Sequence, residues 1–260
     1  MTRCNTPMET LEFTVDEGLG SRARIGLIVL QTDQTLEHEL AALFRGDGIA
    51  LYHARIPMAM DVTPQTLRQM ALDLPRTAAL LPASFGFDVI GYGCTSGATL
   101  IGEAQVDRLI RAEHPQAKTS NPITACKAAL RALGLRRIAL VTPYAPEVTL
   151  EMQANLRAAG IQINALASFN EPDDFTVARI SPDSLLEAVL QIGTREDCDG
   201  VLVACTNLRA LEIIAEAEAR LGKPVTSSNQ ALAWHLMRLA GLPLAPEGKG
   251  ALFSLITLPD

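Results

Sequence analysis

Two cysteines stand in matched surroundings. Cys94 lies in DVIGYGCTS and Cys205 in DGVLVACTN. Each follows an aspartate by six residues, Asp88 or Asp199, and each is followed by a threonine. The residues between are mostly apolar and β-prone, so each cysteine is predicted to end a buried strand and open a helix. A helix N-terminus stabilises a thiolate and lowers its pKa. The same free N–H groups can hold a carboxylate or an enolate-like oxygen. Two thiols on opposite faces of one carbon could invert it, one removing a proton as thiolate and the other returning one as thiol. Such chemistry works on an acidic C–H bond without metal, pyridoxal phosphate or nucleotide. A cysteine at a strand end is more often a small buried hydrophobe. Cys4, Cys126 and Cys198 are read in that way, and the matched context sets Cys94 and Cys205 apart.

The elements that position these cysteines repeat as well. Residues 24–30 (RIGLIVL) predict a buried strand, 36–44 a helix and 49–54 a second strand. Thr63 and Pro64 open another helix, as N-cap and first-turn proline. Residues 88–93 predict a third strand and 96–112 a helix. RIALVT at 137–142 mirrors RIGLIV, SPDSL at 181–185 mirrors TPQTL at 63–67, and 199–207 mirrors 88–96. Strand and helix alternation implies parallel sheets with crossover helices. Three landmarks in one order imply an internal duplication. The expected fold is α/β: two pseudo-symmetric Rossmann-like lobes, each a mostly parallel four-stranded sheet flanked by helices, with the active site between them. The division expected is an extension over 1–23, lobe one from 24–118 plus 225–260, and lobe two from 119–224. Residues 118–122 are read as the crossover, and the helix over 230–239 as returning to lobe one.

Other chemistry is poorly supported. GYGCTSG reads GxGxxxG, one residue off a dinucleotide fingerprint, and follows the third strand of its lobe. There is no Walker motif and no Gly-x-Ser-x-Gly elbow. His38, His53, His114 and His235 lack metal-ligand spacing, so no metal is expected.

Bulk properties narrow the partners. The chain has 260 residues, 48% hydrophobic and 20% charged, which is ordinary globular composition. Aromatics are 4%, so the core must be aliphatic. A net charge of −7 and a pI of about 5.2 argue against nucleic acid. No apolar run approaches the ~18 residues of a membrane helix, and residues 1–21 have no apolar signal core. The expectation is a cytoplasmic protein with free thiols and no membrane partner.

The segments IGLIVLQTDQTLEHE, DVIGYGCTSGATLIGE, VTPYAPE, DDFTVARISP, GVLVACTNLRALEIIAE and GKPVTSSNQALAW carry a resemblance over nearly all the chain from Arg24 on. The sequence resembles the aspartate/glutamate racemase superfamily. Within it, the likeness is to the branch of maleate cis-trans isomerases, arylmalonate decarboxylases and ectoine-utilisation A proteins. IVLQTDQT, GYGCTSGA and KPVTSSNQA look most like the last group. The resemblance implies catalytic roles for Cys94 and Cys205, and carboxylate binding by Thr95, Ser96 and Tyr144. It adds Thr206 and Asn207 as backbone donors, and Gln31, Asp33 and Asp174 as substrate-binding positions. The decarboxylases carry glycine at the position of Cys94 and paired prolines at Leu30-Gln31. The maleate isomerases carry asparagine at the positions of Asp33 and Asp174.

The function expected from the resemblance is a cofactor-independent two-cysteine racemase or isomerase acting on a small carboxylate. A role in ectoine or hydroxyectoine breakdown would fit it. The alternative is a cofactor-free decarboxylase with Cys205 as proton donor, and outside enzymes a two-lobed binding protein. Two acidic residues in the cleft suggest a zwitterionic substrate. Relatives commonly assemble, so a homodimer or higher homo-oligomer is expected.

Overall fold

The computed structural model describes residues 8–46, 48–242 and 248–255. Short apolar runs form strands and longer amphipathic runs between them form helices. The first half runs β1 (Ala23–Leu30), α1 (Leu36–Leu43), β2 (Ile49–Ile56), α2 (Pro64–Ala78), β3 (Val89–Gly93), α3 (Thr95–Ile101), α4 (Glu103–Arg111), β4 (Lys118–Ser120) and α5 (Pro122–Ala132). The second half runs β5 (Arg137–Thr142), α6 (Pro146–Ala158), β6 (Gln162–Ser168), α7 (Asp174–Val177), α8 (Pro182–Gly193), β7 (Gly200–Val203), α9 (Ile214–Leu221), β8 (Val225–Ser227) and α10 (Ser228–Leu239). The strands form two four-stranded sheets, ordered β2-β1-β3-β4 and β6-β5-β7-β8. Every pairing within them is parallel. The second order is the first repeated, so the two α/β lobes read from the sequence are present.

The repeated landmarks do equivalent work. Asp88 Oδ2 accepts the Arg24 N–H at 2.8 Å, and Asp199 Oδ2 accepts the Arg137 N–H at 3.0 Å. Each aspartate thus fixes the start of its lobe's central strand against the strand that carries the cysteine. Thr63 caps α2 by accepting the Thr66 N–H, and Ser181 caps α8 by accepting the Ser184 N–H. Proline follows in both, where its missing N–H costs nothing. The core is aliphatic, with Ile25, Leu27, Ile28, Leu140 and Leu202 fully buried, and Trp234 buried beside them.

Three expectations need correction. The helix read over 96–112 is two helices, because Gly102 adopts φ 95°, a conformation open to glycine. Residues 118–120 form β4 rather than a bare crossover. Strand pairing also moves the expected boundaries at 118/119 and 224/225, because β4 completes the first sheet and β8 the second. A strand belongs with the sheet that satisfies its backbone groups. Past those points the chain does exchange sides: α10 packs on β3, β4 and α5, while α5 also meets β8. The expectation for Cys4 falls outside the described residues.

Candidate active site

Parallel strands end on one side of a sheet, and both cysteines lie there. Cys94 follows β3 directly and is the N-cap of α3, its sulfur accepting the Gly97 N–H at 3.1 Å. The Ser96 hydroxyl lies 3.7 Å from that sulfur. The flanking glycines provide clearance. A Cβ at Gly97 would stand 2.8 Å from the Cys94 sulfur and 2.6 Å from the Tyr92 hydroxyl, and one at Gly93 would run into Leu36 of α1. The glycines of GYGCTSG thus have a steric reason that involves no phosphate.

Cys205 lies two residues beyond the end of β7, and it does not open a helix as expected, since α9 begins only at Ile214. The reason lies in the partners of this segment. Thr206 Oγ1 donates to the Gly93 carbonyl at 3.3 Å, and the Asn207 carbonyl accepts from Thr35 Oγ1 at 3.0 Å. The Leu211 N–H donates to Glu39 at 2.9 Å. The last two take backbone groups, the Asn207 carbonyl and the Leu211 N–H, that a helix would pair with each other. Cys205 therefore receives the single Asn207 N–H, at 3.3 Å, in place of a helix end.

The two thiols share one buried setting. Cys94, Cys205, Ser96 and Tyr144 are all buried. Tyr144 is close enough to both thiols to act on them electrostatically. Asp33 and Asp174 act electrostatically on both sulfurs. Burial pushes the Cys94 thiol up to about 12, against the Gly97 N–H and Ser96 hydroxyl, which favour the thiolate. Burial likewise pushes Cys205 well up, and the Asp174 charge adds to it. The sequence had suggested lowered thiol pKa values. Desolvation outweighs the helix end at Cys94, and at Cys205 there is no helix end.

The acidic residues are held by local bonds. Asp33 Oδ1 accepts the N–H groups of Thr35 and Leu36 at 2.8 and 2.7 Å, so it secures the start of α1. Its Oδ2 is buried without a hydrogen-bond partner. Burial raises its pKa to about 7, with these N–H bonds opposing. Asp174 is the first residue of α7, and its Oδ2 accepts from Thr32 Oγ1 at 2.5 Å. Burial raises its pKa too.

Other expected residues divide. Ser96, Tyr144 and Thr206 join the cysteine cluster. The Thr95 hydroxyl instead donates to Ser228 Oγ on α10 at 2.8 Å. Gln31 is exposed, and among the described residues its side chain forms no hydrogen bond to the cluster. Asn207 is buried and acts as a clamp: Oδ1 accepts the Gln34 N–H at 2.8 Å and Nδ2 donates to the Asp174 carbonyl at 2.9 Å.

Sequence reasoning missed Thr32, Glu39 and Asn229. Glu39 is buried, its carboxylate accepting the Leu211 N–H at 2.9 Å and Asn229 Nδ2 at 2.7 Å. Asn229 Nδ2 also donates to the Thr206 carbonyl at 2.8 Å. The available signal was an acidic residue on the apolar face of α1, between Leu36, Leu40 and Leu43. Over the same side, residues 60–62 and 172–174 join the lobes through an Asp61–Asp173 antiparallel bridge. The Val62 N–H bonds Pro172 O at 3.1 Å and the Asp174 N–H bonds Met60 O at 3.2 Å. No helix among the described residues is long and apolar enough to cross a membrane.

Two buried thiols, the Ser96 hydroxyl and the carboxylates of Asp33 and Asp174 are thus gathered in one buried cluster at the strand ends. The sequence profile described as arylmalonate decarboxylase matches residues 25–253. The chain is 26% identical over 244 residues to a maleate isomerase of Geobacillus stearothermophilus, covering 89% of this chain and 97% of that one. It is 37% identical over 132 residues to an arylmalonate decarboxylase of Bordetella bronchiseptica, covering 50% and 55%. A crystallised cysteine mutant of the Nocardia farcinica maleate cis-trans isomerase, with a covalently bound succinylcysteine intermediate, superposes with a TM-score of 0.83 at 27% identity. That superposition covers 89% of this chain and 98% of the isomerase.

Proposed function

This chain belongs to the arylmalonate decarboxylase family, and we propose that within it the protein is a cofactor-free isomerase or racemase of a small carboxylic acid. The observation that carries the reading is the pair of buried thiols after equivalent strands, close enough for Asp33, Asp174 and Tyr144 to act on both. A single proton donor would suffice for decarboxylation. A second thiol is what proton exchange at two faces, or addition and expulsion at a double bond, requires.

The chain's own groups have separable tasks. Cys94 is the thiol better equipped to ionise, because it caps α3 and accepts the Gly97 N–H, with the Ser96 hydroxyl 3.7 Å away. Cys205 is the thiol that delivers a proton, held by the Asn207 N–H. Ser96, Tyr144 and the backbone at Thr206 and Asn207 hold the substrate carboxylate. In racemisation the Cys94 thiolate takes the α-proton, the electron pair moves into the carboxylate as an enediolate, and Cys205 protonates the opposite face.

The substrate we favour is zwitterionic. The unpartnered Asp33 oxygen calls for a donor, and Asp33 with Asp174 makes that end of the cleft acidic. A second carboxylate there would be repelled. The sequence resemblance to ectoine-utilisation A proteins fits this, and ectoine or a derived diamino acid is the natural first substrate to try. The decarboxylase reading remains the second, favoured by the 37% identity to the Bordetella enzyme.

Proton NMR in deuterated buffer tests the choice. Purified protein is incubated separately with ectoine, hydroxyectoine, maleate and phenylmalonate. Loss of an α-proton signal or appearance of an isomer supports the reading. Carbon dioxide release from phenylmalonate that survives Cys94→Ala, with no exchange or isomerisation elsewhere, would replace it with decarboxylation.

A further inference from the structure

Glu39 and Asn229 form one buried unit that spans the segment after Cys205. One carboxylate oxygen of Glu39 accepts the Leu211 N–H at 2.9 Å, and the other accepts from Asn229 Nδ2 at 2.7 Å. The same Nδ2 donates to the Thr206 carbonyl at 2.8 Å. Residues 206–211 are therefore held at both ends, by α1 at Leu211 and by α10 at Thr206.

The unit is costly. Burial raises the Glu39 carboxyl to about 7, and Asn229 Oδ1 is buried with no hydrogen-bond partner. A polar atom left in that state in a native fold calls for a reason. Turning the amide over would not relieve it, because Oδ1 would then face the oxygens of Glu39 and Thr206. The amide is held in this sense by its two acceptors.

The duplication shows what packing alone would place here. Counting on from the matched strand starts Arg24 and Arg137, Glu39 corresponds to Met152 of α6. The buried positions agree, Leu36, Glu39 and Leu43 of α1 matching Thr149, Met152 and Leu156 of α6. Asn229 is the second residue of α10 after the Ser227 cap, and Ile123 is the second residue of α5 after the Asn121 cap. Met152 and Ile123 are fully buried and apolar. They sit on α6 and α5, the helices that pack on α3, whose N-cap is Cys94. Glu39 and Asn229 sit on the helices that bond 206–211, which is not helical. A polar pair thus stands in place of an apolar pair where the residues after a cysteine have no helical bonds to hold them.

We propose that Glu39 and Asn229 are positioning residues for Cys205. By fixing both ends of 206–211 they set the proton-delivering thiol and the Asn207 N–H bonded to its sulfur. Their role rests on the two-thiol reading, and neither touches the reacting atoms.

The double variant Glu39→Met, Asn229→Ile copies Met152 and Ile123 and leaves no buried charge behind, an exchange that folded proteins tolerate. Iodoacetamide labelling of the full chain at mildly alkaline pH, read by mass spectrometry, follows Cys205 with Cys94 as the control in the same sample. Cys205 should label about 10-fold faster than in the native chain, as loss of hydrogen bonds eases local opening. Cys94 should keep its native rate. The kcat for exchange should fall ~10²-fold, as for a group misplaced by about 1 Å. Asn229→Ala gives the same labelling ratio a second reading should the double variant not fold. Equal acceleration of both thiols marks general loosening and overturns the proposal, as does a native Cys205 rate or a native kcat. Labelling needs no substrate, so a lack of turnover on every acid tried would count against the two-thiol chemistry while the ratio still judges the pair.

Discussion

Glu39 is the most informative residue to perturb outside the thiols. It lies on α1, is 6% exposed, and joins the lobes through Leu211 and Asn229. Burial raises its pKa from an ordinary 4.5 to about 7, although two N–H donors favour the charged form. The folded state therefore holds the proton more tightly than the unfolded state does. Its contribution to stability is full below about pH 4.5, is lost progressively as pH rises through 7, and is level above that. A shift from 4.5 to about 7 at ~1.36 kcal/mol per unit is worth about 3 kcal/mol as an upper figure. Glu39→Gln keeps the shape and removes the titration. Its amide must set one N–H against a donor, a cost that is the same at every pH. The stability difference between Glu39→Gln and the native chain should therefore shift by about 2.5 kcal/mol in favour of the variant between pH 5 and pH 8. Urea unfolding followed by circular dichroism at those two pH values measures it. A difference that stays constant, or that moves in favour of the native chain, would refute the assignment of Glu39 as a buried group uncharged at low pH.

Three further outcomes follow from the site. Cys94→Ala and Cys205→Ala should each lower kcat/KM for exchange or isomerisation by ~10²–10⁴-fold, with unchanged circular dichroism; near-native turnover in either variant contradicts the two-thiol scheme. Iodoacetamide should label Cys94 and Cys205 slowly at pH 7.5 and faster toward pH 10, because burial pushes both thiols up; mass spectrometry showing prompt labelling of native protein at pH 7.5 contradicts that environment. Asp33→Asn should move binding preference from zwitterions toward dicarboxylates, read as the ratio of Kd values by calorimetry; an unchanged ratio removes Asp33 from substrate selection.

The fold was legible because the duplication was. RIGLIV and RIALVT, the paired Asp-to-Cys spacings and the paired cap-proline starts all mark strands and helices whose local bonds the structure bears out. These are short-range signals, each set by a few neighbouring residues. What stayed hidden depends on the partner lobe. The missing helix after Cys205 follows from bonds to Gly93, Thr35 and Glu39, all more than 100 positions away in the chain. The orphan oxygen of Asp33 and the clamp role of Asn207 likewise exist only once the lobes meet. Thr95 shows the converse limit. Its place beside Cys94 suggested a substrate contact, but its hydroxyl is taken by Ser228 of α10, a helix read as returning to lobe one with no local sign of which side chain it would meet.

The duplication supplies two thiols, and its imperfections make them unequal. Lobe one keeps a true helix start, so Cys94 receives an N–H from the first turn and a neighbouring hydroxyl. Lobe two gave up that start to bind lobe one, so Cys205 keeps one backbone donor. Even so, ionising Cys94 at neutral pH from a pKa of about 12 would cost about 7 kcal/mol at ~1.36 kcal/mol per unit. Burial makes most of that cost, and the charges of Asp174 and Asp33 add to it. Two acidic groups beside a thiol that must ionise would be self-defeating for a substrate bearing only negative charge. A substrate that brings a positive end reverses their effect. It neutralises the aspartates on entry, removes their repulsion of the thiolate and adds an attraction of its own. Ionisation would then be coupled to the arrival of the right ligand, and the pair of carboxylates proposed to select the substrate would hold the thiol in reserve until it is bound.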